Sequence, residues 1–286
     1  MTRVAARHRL DAELVRRGLA GSREHARSLV LDGVVLVGGV IADKPGRLVS
    51  RGDPLVVAGE RPRFVSRGGD KLDAALARFH VPVTGRRCLD AGASTGGFTD
   101  CLLQRGARAV VAVDVGRGQL HERMRADARV TSLERTNVRA LDLAAVGGVP
   151  FDLVVADLSF ISLVTVAARL CGELAAEDAD VVVLVKPQFE AGRAAASRGK
   201  GVIRDPGLRR DALLRVAGAL EACGATIMGA MASPVTGPAG NVEYLLHARA
   251  HRGAPTAPGR PPRPALLSMV DRAVAESPGP KVDTRP

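Results

Sequence analysis

Four stretches of this chain, "RRCLDAG", "AVVAVDVG", "FDLVVADLS" and "DVVVLVKPQ", share one plan: a short apolar run that stops at a charged side chain. A run that is apolar at every position is buried on both faces, as strands of a parallel sheet are, and its terminal charge marks where the strand leaves the sheet. Helical stretches that begin near Thr99, Leu163 and Pro206 separate such runs. This alternation predicts an α/β fold, a doubly wound sheet with helices on both faces. Further strands are expected in "RVTSLERTN", "ATIMGAMAS" and "VEYLLHARA". The last two stand close together in the chain, which suits an antiparallel pair and an antiparallel edge strand. Asp205-Pro206 supplies an N-cap with proline at the first helical position, and "ALLSMVDRAVAES" reads as a final helix after a proline-rich segment at 252–264.

In such a sheet the turn after the first strand lies at the topological switch point, where ligands bind beside the carboxyl ends of the strands. Here that turn is "CLDAGASTGGFTD", whose Gly92, Gly96 and Gly97 mark a backbone that something must approach closely. The spacing is not Gly-x-Gly-x-x-Gly, and Asp90 would repel a pyrophosphate while suiting a cationic ligand. S-adenosylmethionine carries both an ammonium and a sulfonium. Asp114, ending the second strand, can accept hydrogen bonds from a ribose diol. The expected cofactor contacts are therefore Asp90, Gly92, Ser94, Gly96 and Asp114, with Asn137 touching adenine or capping its loop. On this pattern alone a nucleotide-dependent dehydrogenase stays open. The strand ends carrying Asp90, Asp157 and Lys186 around one crevice shift the balance toward chemistry that uses paired charges.

The first 60 residues read differently. Leu10, Leu14 and Val15 share a helical face, Ser22 can cap a second helix with Ala26, Leu29 and Val30 inward, and "VVLV", "VIA" and "PLVV" are short strands. Arg7, Arg9, Arg16, Arg17, Arg23 and Arg27 are expected on one basic side. The formal net charge of +11 points to a polyanionic partner, and the longest uninterrupted apolar run, "VVVLV", is far short of the roughly 18 to 20 residues a spanning helix needs. The amino-terminal "MTRVAARHRL" lacks the apolar centre of a signal peptide, so a cytoplasmic protein with no membrane association is expected, with a monomer favoured. Cys88, Cys101, Cys171 and Cys223 are scattered, which predicts free thiols and no metal site.

The stretch "LDAELVRRGLAGSREHARSLVLDGVVLVGG" resembles the S4 RNA-binding domain, and this resemblance implies RNA binding by the arginine-rich face. Residues from about Val65 to Ala250 resemble the FtsJ-type ribose methyltransferases. The whole chain is similar to the TlyA family, ribosomal RNA cytidine 2′-O-methyltransferases historically labelled hemolysin A. "VSRGGDKL", "CLDAGASTGGFT", "VVADLSFISL", "VKPQFE" and "GPAGNVEYLL" carry the likeness. It implies a Rossmann-like class I methyltransferase sheet at 65–286, an S4-like α+β domain at 1–60 and a linker at 61–64. It also implies S-adenosylmethionine as cofactor, ribosomal RNA or ribosomal subunits as partner, and a catalytic set of Lys71, Asp157, Lys186 and Glu243. Asp70 departs from the familiar pattern beside Lys71 and alters the charge there.

A ribose 2′-hydroxyl is a weak nucleophile, so the protein must align it with the methyl carbon and stabilise charge developing on oxygen. The expectation is that Lys186 contacts that oxygen, as base or as electrostatic stabiliser, that Asp157 orients it, and that Glu243 holds Lys71 or the ribose. Arg193, Arg198, Lys200 and Arg204 are expected to grip phosphates beside Lys186, and Phe160 or Phe189 to pack on the target nucleotide. Two other classes stay open: an S4-type RNA-binding ribosome factor without catalysis, and a membrane-active hemolysin.

Overall fold

The structure, a computed structural model, describes residues 7–42, 44–58, 63–192, 201–237, 240–251 and 263–277. The chain divides into two compact units, Met1–Ser66 and Arg67–Pro286.

The first unit opens with strand β1 (Arg7–Arg9), helices α1 (Leu10–Arg16) and α2 (Arg23–Leu31), and strands β2 (Val35–Val37), β3 (Val40–Ile41), β4 (Leu48–Ser50) and β5 (Leu55–Val57). Ser22 caps α2 by accepting a hydrogen bond from the His25 amide at 3.1 Å. Leu10, Leu14, Ala26, Leu29 and Val30 then turn inward against Val35, Val37 and Val49. Strands β3, β2 and β5 form one antiparallel sheet, while β1 pairs with β4. Arg7 and Arg9 therefore lie on a strand and not on the helical face expected for them. Pairing with β4 satisfies backbone groups that an extra amino-terminal turn of helix would leave open.

The second unit contains α3 (Gly68–Arg78), β6 (Arg87–Ala91), α4 (Gly97–Gln104), β7 (Ala109–Val113), α5 (Glu122–Ala126), β8 (Val130–Leu133) and β9 (Phe151–Ala156). Then come β10 (Ala175–Val185), α6 (Pro187–Glu190), α7 (Pro206–Ala222), β11 (Thr226–Ala232), β12 (Tyr244–Arg249) and α8 (Arg263–Ala275). Their sheet has the order β11-β12-β10-β9-β6-β7-β8. Neighbours from β10 to β8 are parallel; β12 runs against both β10 and β11. The expected antiparallel pair is thus at one edge, with the reversed strand inserted between β10 and the edge strand β11. Val154, Val155 and Val181 through Val185 are almost wholly buried, and each such side chain contributes about 2 kcal/mol by leaving water.

Asp205 caps α7 through the amides of Gly207 and Leu208, as its Asp-Pro sequence predicts. The helix expected from Leu163 is instead a 3-10 turn at Leu163–Thr165 followed by a π-helical turn at Arg169–Glu173. Val164, Thr165 and Val166 are β-branched and lose rotamer freedom in a regular helix, and Gly172 weakens it further. Helix α4 begins at Gly97, ahead of the expected Thr99.

Strands β7 and β9 flank β6 on opposite sides, so the crossovers diverge there and a crevice opens above the β6 and β9 ends. In register, Ala91 at the end of β6 faces Val113 of β7 and Ala156 of β9. Gly92, Asp114 and Asp157 directly follow these three strands.

Candidate active site

The glycine-rich turn leaves β6 with Gly92 at φ 88°, a region that side chains with a Cβ seldom adopt. A Cβ on Gly92 would stand 2.3 Å from the Asp157 carbonyl oxygen, so the ends of β6 and β9 touch only because this residue is glycine. The Asp157 amide donates to the Ala91 carbonyl at 2.9 Å, which ties the same two ends together. Asp114, one residue past β7, accepts from the Ser94 amide at 2.8 Å and the Gly116 amide at 2.7 Å. Its carboxylate is thereby fixed with lone pairs left over toward the crevice.

The crevice has a volume of about 680 Å³ and is lined by Gly92, Ser94, Asp114, Asn137 and Asp157 among others, with Val113, Leu158 and Ile161 as apolar wall. That size and mixture suit a nucleoside-type ligand. Asn137 also caps its own turn, accepting from the Arg139 amide at 3.0 Å. Gly96 caps α4 against Leu120 and Met124 and is not part of the crevice wall. Asp90 lies beneath the turn, fully buried, and accepts from Thr99 Oγ1 at 2.7 Å. Burial pushes its carboxyl up to about 7 against the opposing Thr99 bond, with the Asp157 charge adding to the rise. Bracing the turn is the role its contacts display.

Two lysine–carboxylate pairs occupy the rim. Lys186 follows the last residue of β10, and its Nζ stands 2.5 Å from Asp157 Oδ1. Lys71, on α3, meets Glu243 Oε2 at 2.5 Å, and both are nearly buried. Strands β10 and β12 pair with Val185 opposite Tyr244, so Lys186 and Glu243 are the next residues outward on adjacent strands. The two pairs are therefore neighbours: Asp157 and Lys186 on the crevice side, Glu243 and Lys71 beyond them. Gly237 permits this, since a Cβ there would stand 2.5 Å from Glu243 Oε1.

Some neighbours had no announcing signal. Lys186 also donates to Ser159 Oγ at 2.8 Å, and only the hydroxyl two residues after Asp157 hinted at this. Buried Asn241 donates to the Gly201 carbonyl at 2.8 Å and accepts from the Ile203 amide at 2.9 Å. Phe160 lines the crevice with its side chain 92% exposed and φ 65°, and its ring tilts against Phe189 at 5.4 Å between centroids. An apolar ring held out in water from a left-handed backbone is not core filling.

Among the arginines of the first unit, Arg9 makes a bidentate contact with Asp11 and Arg16 one with Glu13. Arg17 bonds Glu13 and the carbonyls of Ser50, Arg51 and Asp53, so its guanidinium braces the turn after β4. Arg23 lies 3.5 Å from Asp11 and, like Arg7 and Arg27, is exposed. Arg204 is exposed near the start of α7, whereas Arg193, Arg198 and Lys200 lie outside the described residues, as do Arg61 and Pro62 of the linker. Among the described residues no helix is long and apolar enough to cross a membrane.

Comparison with known proteins gives the same geometry a lineage. The family model of FtsJ-like methyltransferases matches residues 64–250, and that of the S4 domain matches residues 8–55. The 16S/23S rRNA (cytidine-2′-O)-methyltransferase TlyA of Mycobacterium tuberculosis is 52% identical over 277 residues, 96% of this chain and 100% of that protein. A Brachyspira hyodysenteriae protein named Hemolysin A is 39% identical over 84% of this chain and 98% of its own. A solved structure described as a hemolysin from Streptococcus thermophilus superposes with a TM-score of 0.71 at 36% identity, over 96% of this chain and 98% of that one.

Proposed function

Because the chain belongs to the FtsJ-like methyltransferases, and within them to the TlyA ribosomal RNA methyltransferases, we propose that it methylates cytidine 2′-hydroxyls in the RNA of both ribosomal subunits. The observation that carries this reading is the pair of lysine–carboxylate contacts, 2.5 Å each, on adjoining strand ends beside the crevice.

S-adenosylmethionine fits the crevice by the chemistry of its wall. Asp114 offers a fixed carboxylate to a ribose diol, and Val113, Leu158 and Ile161 offer apolar surface to a purine. Ser94 and Gly92 bring backbone close to the same space. When bound, the cofactor supplies a methyl group on a sulfonium, already electrophilic. What remains for the protein is to orient the hydroxyl, exclude water and manage one proton.

Lys186 does this work at the 2′-oxygen. There it would receive the proton that the 2′-hydroxyl gives up when it is methylated. Asp157 orients Lys186 and favours the ammonium that results. Lys71, neutralised by Glu243 in a nearly buried pair, keeps positive potential beside the oxygen without an uncompensated charge. Phe160, exposed at the crevice mouth, is the surface on which the target base stacks, which holds the ribose at the rim.

The basic first unit is assigned to RNA docking. Arg7, Arg23 and Arg27 carry it on the exposed side, together with the outward ends of Arg9 and Arg16; Arg17 contributes by shaping the turn after β4. Arg204, with Arg193, Arg198 and Lys200 in its approach, is assigned to phosphate contacts near Lys186. Mapping ribose methylation on both subunits from cells with and without the protein tests the activity. Absence of any cytidine whose 2′-O-methyl group depends on the protein would overturn the reading.

A further inference from the structure

Lys186 has a partner outside the four-residue set. Its Nζ donates to Ser159 Oγ at 2.8 Å while standing 2.5 Å from Asp157 Oδ1. An ammonium has three N–H directions, and an amine has two plus a lone pair. The Ser159 bond uses one of these directions, and the charge contact with Asp157 holds the nitrogen from a second side, so the terminal group no longer turns freely. Asp157 and Ser159 both line the crevice, so the two contacts hold the lysine nitrogen against that wall.

The loop that presents Ser159 is itself held from below. Glu190, almost completely buried, accepts from Ser162 Oγ at 2.5 Å and from the Leu163 amide at 2.8 Å. Its own carbonyl accepts from Arg215 Nη1 at 2.7 Å. Glu190 is the last residue of α6, which begins immediately after Lys186. Lysine, short helix, glutamate and serine loop therefore close a ring, and the Lys186–Ser159 contact is one link of it.

We propose that Ser159 is a positioning residue for Lys186, locking the orientation of its amine toward the ribose oxygen, and that the buried Glu190 carboxylate sets Ser159 in place. This rests on the reading that Lys186 acts at the 2′-oxygen. The loss expected from removing one such hydrogen bond is about tenfold in rate. It should fall on kcat, because neither the crevice wall around Asp114 nor the arginine face is touched.

The test compares wild type with Ser159→Ala, Ser159→Thr and Glu190→Ala on ribosomal subunits. Cofactor affinity is measured by calorimetry, and the Lys186 Nζ hydrogens are followed by NMR on lysine-labelled protein. Ser159→Ala is expected to lower kcat about tenfold, leave KM for subunits and cofactor affinity within about twofold, and average out a Lys186 Nζ hydrogen signal that is distinct in wild type. Ser159→Thr, which keeps the hydroxyl, is expected to restore both kcat and signal. Glu190→Ala should reproduce the kcat loss; if it does not fold, Ser162→Ala, which removes one of the two bonds to the carboxylate, takes its place. A Ser159→Ala enzyme with wild-type kcat and an unchanged Lys186 signal overturns the inference, as does a loss confined to KM. Lys186→Ala runs alongside: turnover retained in that variant would sink the parent assignment, a result distinct from either outcome at Ser159.

Discussion

Strands β10 and β12 carry an ionic cluster at each end of their ladder, and the two clusters are built to opposite specifications. At one end Asp180, fully buried, accepts from Arg86 at 2.6 Å, His247 at 2.7 Å and Arg249 at 3.0 Å, while Phe79 stacks on the His247 ring. Burial alone would push the Asp180 carboxyl up, but its His247 and Arg86 hydrogen bonds hold it well below the usual carboxylate range. None of these residues lines the crevice beside Asp157. At the other end Lys186 and Asp157 make a close pair, and Asp157 lines a cavity of about 680 Å³. Saturated and enclosed, charges hold a sheet together; pre-oriented with one direction unspent, similar charges are ready for a substrate.

Substitutions at the two ends should separate these roles. The largest effect is expected from Lys186→Ala, with methyl transfer reduced at least about 10³-fold and cofactor binding by calorimetry still detectable. Asp180→Ala should do the reverse. Leaving Arg86 and His247 without their acceptor costs about 3 kcal/mol in denaturant unfolding, while kcat of the folded fraction stays near wild type. Equal losses of activity and stability in both variants would dissolve the distinction.

Asp90 sharpens it with pH. Its native carboxyl keeps a proton up to about pH 7, whereas in the unfolded chain it ionises near the ordinary value of 3.8. The native state therefore binds more protons across that window, and this group's contribution to stability falls as pH rises from about 4 to about 7. Relative to Asp90→Asn, wild type should lose about 2 kcal/mol between pH 5 and pH 7, read from unfolding curves of both proteins. Parallel profiles would show that Asp90 is ionised in the folded protein. The smallest effect is expected at Phe160. Phe160→Ala should leave the melting temperature unchanged and lower kcat/KM for RNA about tenfold, the value of one lost stacking contact.

Legibility in the sequence followed the range of the interactions involved. The strand ends at Asp157 and Lys186 could be read because a wholly apolar run followed by a charge is a local pattern, and Gly92 because a turn needs its φ. The family likeness then supplied Lys71 and Glu243, whose contact spans 172 residues and has no local trace. The three-residue strands β1 and β4 gave too short an alternation to recognise, so Arg7 and Arg9 were expected on a helix. Glu190 and Ser162 meet across 28 residues, and neither looks unlike an ordinary surface polar group until the fold buries it. Asp90 was expected to face a cationic ligand; that the fold buries it and joins it to Thr99 had no local sign.

The Asn241 side chain grips the backbone at Gly201 and Ile203 from a position two residues ahead of Glu243. One amide group thereby joins the backbone at 201–203 to the chain that carries the acid paired with Lys71. A change at Asn241 would therefore reach two places together, the backbone at 201–203 and the charge balance at Lys71.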